Sequence, residues 1–499
     1  MRGVRSTLLC LGILGLAGFL LMWKTVRASE GHGLNTAIPT SSGPAQVLGI
    51  AHAVHLRPTL NYGKEIVDFS NLVGKRPAVI MYFTDWQGNP NASGLERYFD
   101  SYLLNTISNT LPISDRPAIM LTWQPLHGRQ ATGCAQDYPG SIPLPDILNG
   151  KCDIYIQGFA QALKARPERF LLRFAHEMNI SDSPWWVGHI GADPSLYVAV
   201  WRHVHQIFEQ VGVPNVEWVW SPNYASNPSD PWNDLHAYYP GDDVVDWIGL
   251  SGYNWYATRS PAIWRSFTDL YDTVLRDLAC SYPKPQIIAE IGTVEGDGTT
   301  LSKAAWIQDA YSRAPSYPFL RVVQWFNDYA YANPNSADFR VTTSTAQDGS
   351  VQSLPPSSGV WTSAYRSAIG NPIYTSTLPA LSAATPPGQF CGDNFFTLTP
   401  SFVLLPSTGE AVIRITGIGY TIPLTLTPEL PPAISGTLET RFWFPPWAVS
   451  SLHIQTADTP LGVYTGRVLI QGYEISQTLT FSIKVVDTVY SIWLPLVLR

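Results

Sequence analysis

Apolar residues in this chain gather into short unbroken runs over its first two thirds and into alternating runs near its end. The unbroken runs are VLGIAHAV (47–54), PAVIMYF (77–83), PAIMLTW (117–123), RFLLRFA (169–175), VEWVWSPN (216–223), DWIGLSGYN (246–254), PQIIAEIG (285–292) and RVVQWFN (321–327). Runs of this length belong to strands covered on both faces, as in a parallel sheet. Between them, GLERYFDSYLLNTI, CDIYIQGFAQALKA, SLYVAVWRHVHQIFEQVG, RSFTDLYDTVLRDLA and KAAWIQDAYSRA carry helical periodicity, and GVWTSAYRSAI follows the last run after a long polar loop. Strands alternating with amphipathic helices over about 330 residues predict an α/β fold, a closed (β/α)8 TIM barrel, with a doubly wound open sheet as the alternative.

The pattern changes at PIYTSTLPALSAATPPG (372–388), whose Pro, Ser, Thr and Ala content predicts a linker. Beyond it, short β-prone runs separated by turns predict a small antiparallel sandwich over 389–488, similar to immunoglobulin-like modules, and residues 489–499 form an apolar tail, either a last strand or a surface-sorting signal. At the other end, Arg2 and Arg5 precede an apolar run from Leu8 to Trp23 and a small-residue cleavage pattern ending at Ala28. This predicts a signal peptide over 1–28, or an uncleaved membrane anchor through residues 8–23, then a linker over 29–45 and the barrel over 46–371. The expected location is secreted or cell-surface.

Composition narrows the class. Hydrophobic residues make up 45% of the 499 and charged residues 14%, which excludes a disordered chain. A net charge of −7 and the lack of any Lys/Arg run speak against nucleic acid as a partner. Eighteen Trp beside 24 Tyr suit either a large core or a sugar cleft. Without its leader the chain keeps Cys134, Cys152, Cys280 and Cys391; Cys134 with Cys152 would close a Gly/Pro-rich loop, while Cys280 and Cys391 are read equally as bridged or as free buried thiols. No Cys-x-x-Cys or His-x-x-x-His spacing occurs, so no metal or cofactor is expected, apart from a structural Ca2+ that needs no recognisable spacing.

In a (β/α)8 barrel the chemistry lies at the C-terminal ends of the strands. Two carboxylates end apolar runs there, Glu177 after the fourth and Glu290 after the seventh. Carboxylates are rarely buried without a partner or a task, and two of them flanking a cleft supply the acid and the nucleophile of glycoside cleavage. Arg173, two positions before the fourth strand's end, is expected to point inward beside them. Trp123 and Trp255 are read equally as core or as sugar platforms, and Asn179 as a loop cap or a hydroxyl partner. Trp185 and Trp186 follow Ser-Asp-Ser-Pro, so at least one is expected to line the cleft.

The segments RFLLRFAHEMN, YYPGDDVVDWIGLSGYNWY, IIAEIGTVEGDG followed by KAAWIQDA, and VVQWFND, in this order, resemble glycoside hydrolase family 26, known for β-mannanases and including β-1,3-xylanases and mixed-linkage glucanases. The resemblance runs from about residue 46 to 370. It implies a retaining endo-acting hydrolase, with Glu177 as acid/base and Glu290 as nucleophile. It further implies His176 next to the acid/base, Tyr253 as a donor to the nucleophile, Trp325 as the aromatic floor of the sugar site, and Trp185 or Trp186 as the family's tryptophan after the His-Glu-Met-Asn stretch. Ile180 stands where relatives commonly have Gly, and Ser251 where many have Asp, which touches substrate identity more than reaction type.

The partner expected is therefore a β-linked polysaccharide, such as a β-mannan or a related hemicellulose or glucan, bound by a monomer. A non-catalytic glycan-binding or cell-surface protein on the same barrel, and a transglycosylase using the same carboxylates, are the other readings. The sandwich, with Trp443 and Trp447 its only indoles before the tail, is expected to act as a spacer.

Overall fold

The computed structural model describes residues 49–86, 88, 92–127, 134, 141–297, 301–329, 337–345, 351–352, 359–386, 395–399, 402–418, 424–443, 447–472 and 476–486. The leader or anchor (1–28, with its apolar run 8–23), the linker 29–45, Cys391 and the tail 489–499 lie outside them. Among the described residues no helix is long and apolar enough to cross a membrane.

All eight apolar runs are strands: β1 (Ile50–His55), β2 (Val79–Trp86), β3 (Ala118–His127), β4 (Phe170–Phe174), β5 (Val216–Trp220), β6 (Trp247–Asn254), β7 (Gln286–Thr293) and β8 (Leu320–Phe326). Each pairs in parallel with the next, and β1 pairs with β8, so the sheet closes into a barrel rather than the open alternative. Helices follow seven of the strands, while β5 is followed by the 3-10 turns Pro231–Asn233 and Leu235–Tyr238. The helix Tyr62–Val73 was not among those expected, although its buried Tyr62, Ile66, Phe69 and Val73 recur at helical spacing.

Alternation along the strands separates two apolar layers. One, containing Ala53, Met81, Met120, Leu171, Val219, Trp247, Ile287 and Val322, fills the barrel interior. The other, containing Ile80, Leu121, Leu172, Trp220, Ile248, Ile288 and Val323, packs with the residues of the surrounding helices.

The Pro-rich segment 372–388 is not a free linker over its described part. Tyr374–Thr375 pairs in parallel with the start of β1, Arg169 donates to the Leu378 and Pro379 carbonyls at 3.3 and 2.7 Å, and a short helix, Leu381–Ala384, joins the interior apolar layer with Ala384 fully buried. Its small apolar residues are what allow it to close the N-terminal end of the barrel, a role that composition alone does not separate from that of a tether.

The C-terminal β region has two sheets around one core. Phe395–Thr399, Gly409–Ile418, Trp447–Thr456 and Ile434–Leu438 form the first, and Phe402–Pro406, Ser476–Val486, Gly462–Gln471, Leu424–Glu429 and Phe442–Trp443 the second. Ile413, Ile415, Leu452, Ile454, Val468, Ile470 and Ile483 fill the space between, as the strand alternation requires. One pair departs from the antiparallel expectation: Phe402–Pro406 runs parallel to Ser476–Val486. Trp443 is buried in this core.

Cys134 and Cys152 form a disulfide across 18 residues, and Cys280 is disulfide-bonded as well, which decides against a free thiol there.

Candidate active site

β4 ends at Phe174, and the chain then passes through two non-glycine residues in the left-handed region, Ala175 (φ 42°) and Glu177 (φ 52°). Each such residue costs on the order of 1–3 kcal/mol and persists only where its surroundings fix it. Here the Ala175 N–H donates to the Trp123 carbonyl (3.1 Å) and the Glu177 N–H to that of Ser221 (2.8 Å). The Ser183 hydroxyl donates to the Glu177 carbonyl (2.6 Å) and the Trp185 indole to that of His176 (2.8 Å).

This turn leaves the Glu177 carboxyl half-buried at the strand end, where the Asn223 amide donates to its Oε1 at 3.0 Å. Asn223 is fixed in turn by Asn179: its N–H donates to Asn179 Oδ1 (2.8 Å), and Asn179 Nδ2 donates to the Asn223 carbonyl (3.1 Å). Asn179 is thus a brace between two loops, the capping role, rather than a group free for a hydroxyl.

Glu290 reaches the same space by a different device. Inward positions on β7 are Ile287 and Ala289, so strict alternation would send Glu290 outward with Ile288. The ladder is irregular here: Leu250 pairs with Ile288 but Ser251 pairs with Glu290, and the β8 side shifts between Ile288 and Ile291. A bulge of this kind re-aims one side chain, and Glu290 turns inward. Side chains replace the lost ladder bonds, with Gln324 Nε2 donating to the Ala289 carbonyl and the Tyr271 hydroxyl donating to the Glu290 carbonyl (2.7 Å).

The Glu290 carboxylate is held by donors only. Arg173 Nη1 reaches Oε1 at 2.5 Å, Ser251 Oγ lies 3.4 Å from the same oxygen, and the Tyr253 hydroxyl donates to Oε2. Arg173 is fully buried and spreads its remaining donors over Ser221 Oγ (2.8 Å), Thr122 Oγ1 (3.3 Å) and Ser251 Oγ. A buried guanidinium with every neighbour an acceptor is a fixed positive charge under the site.

The two carboxyls therefore differ in environment. Burial first, and then the negative charge of Glu290, raise the Glu177 pKa to about 7, with Arg173 and the Asn223 hydrogen bond pulling the other way. His176 is pushed well below the usual imidazole range, by burial and secondarily by Arg173, so its ring is neutral; its buried Nδ1 has no protein partner. Tyr253 is raised by burial and by the charge of Glu290, and remains a hydroxyl donor at all ordinary pH. A protonated carboxyl beside an ionised, cation-backed one can deliver a proton on one side of a bond while the other carboxylate attacks.

Of the residues expected around a substrate, the structure brings His176, Arg173, Tyr253 and Trp255 to Glu177 and Glu290. Trp255, half-buried, lies against Tyr253 with ring centres 5.3 Å apart. Four tryptophans are elsewhere. Trp325 shares the outward face of β8 with Val323, is fully buried, packs on Trp306 and Tyr365 and donates to the Phe339 carbonyl, so it is no sugar floor. Trp123 faces outward on β3 and stacks on Phe159 at 4.3 Å. Trp185 is spent on the His176 turn, and Trp186, half-buried, packs on Trp232 at 5.6 Å with its indole donating to Asn233.

The aromatic facing the site from β8 is Phe326, one residue after Trp325, with Tyr253 at 5.5 Å and His55 stacked on it at 4.6 Å. Beside them Arg57 holds Asp328 through two bonds of 3.0 and 2.7 Å. Asn223 is among the strand-end residues that the barrel reading places at the mouth, whereas Phe326 and His55 were missed as site residues; the alternation Val322, Gln324, Phe326 was the available signal for the first.

Residues 145–310 match the glycosyl hydrolase family 26 profile. Endoglucanase H of Acetivibrio thermocellus is 31% identical over 328 residues, covering 65% of this chain and 31% of that protein. The β-1,3-xylanase TXYA of Vibrio sp is 28% identical over 208 residues, covering 40% of this chain and 38% of that protein. Among solved structures, the catalytic domain of a Bacillus sp. JAMB-750 family 26 endo-β-1,4-mannanase is 18% identical, with a TM-score of 0.47 over 66% of this chain and 88% of that one. The chain thus spans about a third of the length of the named relatives it matches. The profile match lies across β4 to β7, the part of the barrel whose strand ends present both carboxylates.

Proposed function

We propose that the barrel is a retaining endo-β-glycanase that hydrolyses a β-linked polysaccharide by double displacement, with Glu177 as acid/base and Glu290 as nucleophile. The observation that carries this reading is the division of environments: a carboxyl raised to about 7 by burial and a neighbouring charge, next to a carboxylate held by Arg173 and Tyr253. Glu177 protonates the departing oxygen while Glu290 bonds to the anomeric carbon. Forming that ester removes the Glu290 charge, one of the causes that keep the proton on Glu177, so the same group is then suited to take a proton from water and release the sugar.

The names of the relatives support a β-glucan, β-1,3-xylan or β-mannan as the polymer class, and an exported location is supported by the disulfide Cys134–Cys152 and the disulfide-bonded Cys280. The test is hydrolysis of mannan, glucomannan, xylans, mixed-linkage glucan and bacterial exopolysaccharides by the wild type and by Glu177→Ala and Glu290→Ala, with the first product's anomer read by NMR. Retention and loss of most activity in both variants are expected; full activity in either variant, or an inverted first product, sinks the assignment.

A further inference from the structure

The indole of Trp255, the first residue after β6, carries a guanidinium on its face: the Arg259 carbon lies 3.8 Å from the ring centre. The loop between them is built to fold back. Thr258 donates to the Trp255 carbonyl through its N–H (3.0 Å) and its hydroxyl (2.6 Å), the Arg259 N–H donates to Tyr256, and Tyr256 bridges to Ile263. Arg259 is exposed, and among the described residues no carboxylate pairs with it. This sets it apart from Arg57, Arg169, Arg202, Arg313 and Arg340, all of which hold acidic partners.

Arg340 shows what such a group takes. It too lies over an aromatic ring, Tyr329, at 3.9 Å, and its in-plane N–H groups bind both oxygens of Asp338 at 2.9 Å. Arg259 has the stacking and lacks the carboxylate. Stacking fixes the plane of the guanidinium, so less freedom is lost when its edge meets a planar anion, and the fork matches a carboxylate in two parallel bonds. The position is next to the chemistry, because Trp255 touches Tyr253, and Tyr253 donates to Glu290.

We propose that Arg259, held flat on Trp255, reads a carboxylate-bearing sugar of the polysaccharide at the rim of the Glu177 and Glu290 cleft, making the enzyme selective for an acidic glycan. The inference rests on the hydrolase reading for its meaning, but binding tests it separately.

Affinity electrophoresis in gels containing carboxymethyl-β-glucan or glucuronoxylan, against gels with the neutral parent polymers, should retard the wild type about tenfold more strongly, as apparent Kd, in the acidic gels. Arg259→Ala should abolish that difference while leaving neutral-polymer affinity within about twofold, and Arg259→Lys, which keeps the charge but not the fork, should restore part of it. Equal retardation of the wild type by acidic and neutral polymers, or a difference that survives in Arg259→Ala, overturns the inference. Hydrolysis of the neutral polymers, assayed in parallel, decides the hydrolase reading whichever way the gels turn out.

Discussion

Arg173 and Glu290 join β4 to β7 across the barrel interior through a bond of 2.5 Å, with the guanidinium fully buried and the carboxylate nearly so. Removing the cation would leave a buried carboxylate facing Ser251 and Tyr253 alone. Arg173→Met is therefore expected to lower the unfolding free energy by about 3–5 kcal/mol in urea denaturation. An unchanged midpoint would show that the pair contributes nothing to the fold.

The pH profile follows from Glu177. The proposed first step needs its proton, and its pKa is raised to about 7, so kcat/KM should fall as pH rises through about 7. Asn223 donates to the carboxylate and so favours the charged form; Asn223→Ala should raise the pKa and move the alkaline limb to higher pH. Glu290→Gln removes the repelling charge and should lower the Glu177 titration midpoint, read by carbon NMR of the carboxyl. Shifts in the opposite directions would contradict the electrostatic account.

Phe326 and Trp325 are adjacent in sequence and opposite in consequence. Phe326→Ala should raise KM by about tenfold or more by removing an apolar surface beside Tyr253, an effect of the size of one lost stacking contact. Trp325→Phe should cost stability, measured as a lower Tm, and leave KM nearly unchanged, because its indole lies among Trp306 and Tyr365. Kinetics and melting of the two variants separate these roles.

The Cys134–Cys152 bridge closes the connection after β3 onto the helix Asp153–Lys164. Replacing both by Ser should lower stability by about 3 kcal/mol through the freed loop of the unfolded chain. Thermal unfolding with and without a reductant checks this: the wild type should lose stability on reduction and the double variant should not respond at that bridge.

Much of this was legible in the chain. Eight apolar runs gave the strands, and the positions where they end gave both carboxylates. Arg173 could be placed inward because Leu171 and Arg173 share one face of β4. Aromatic residues were read less well, since a tryptophan at a strand end satisfies either layer: Trp123 and Trp325 are outward by parity, which their position near the mouth obscured. The Pro-rich segment 372–388 shows the same limit, because the small residues of a tether also fit beneath a barrel. Nor could any periodicity foresee the left-handed turn at Ala175 and Glu177, which depends on carbonyls and donors from β3, β5 and the loop after β4.

The irregular pairing of β7 bears on how such a sequence can change over time. Side chains along Gln286–Thr293 can be exchanged one at a time, each with a local penalty. Loss of a single codon at Ala289 would instead restore the regular pleat with Glu290 still inward, because the residue after the outward Ile288 then takes the interior position. For this strand a one-residue gap at Ala289 in an alignment would mark a regular pleat in place of a bulged one, with the glutamate facing the same interior in both.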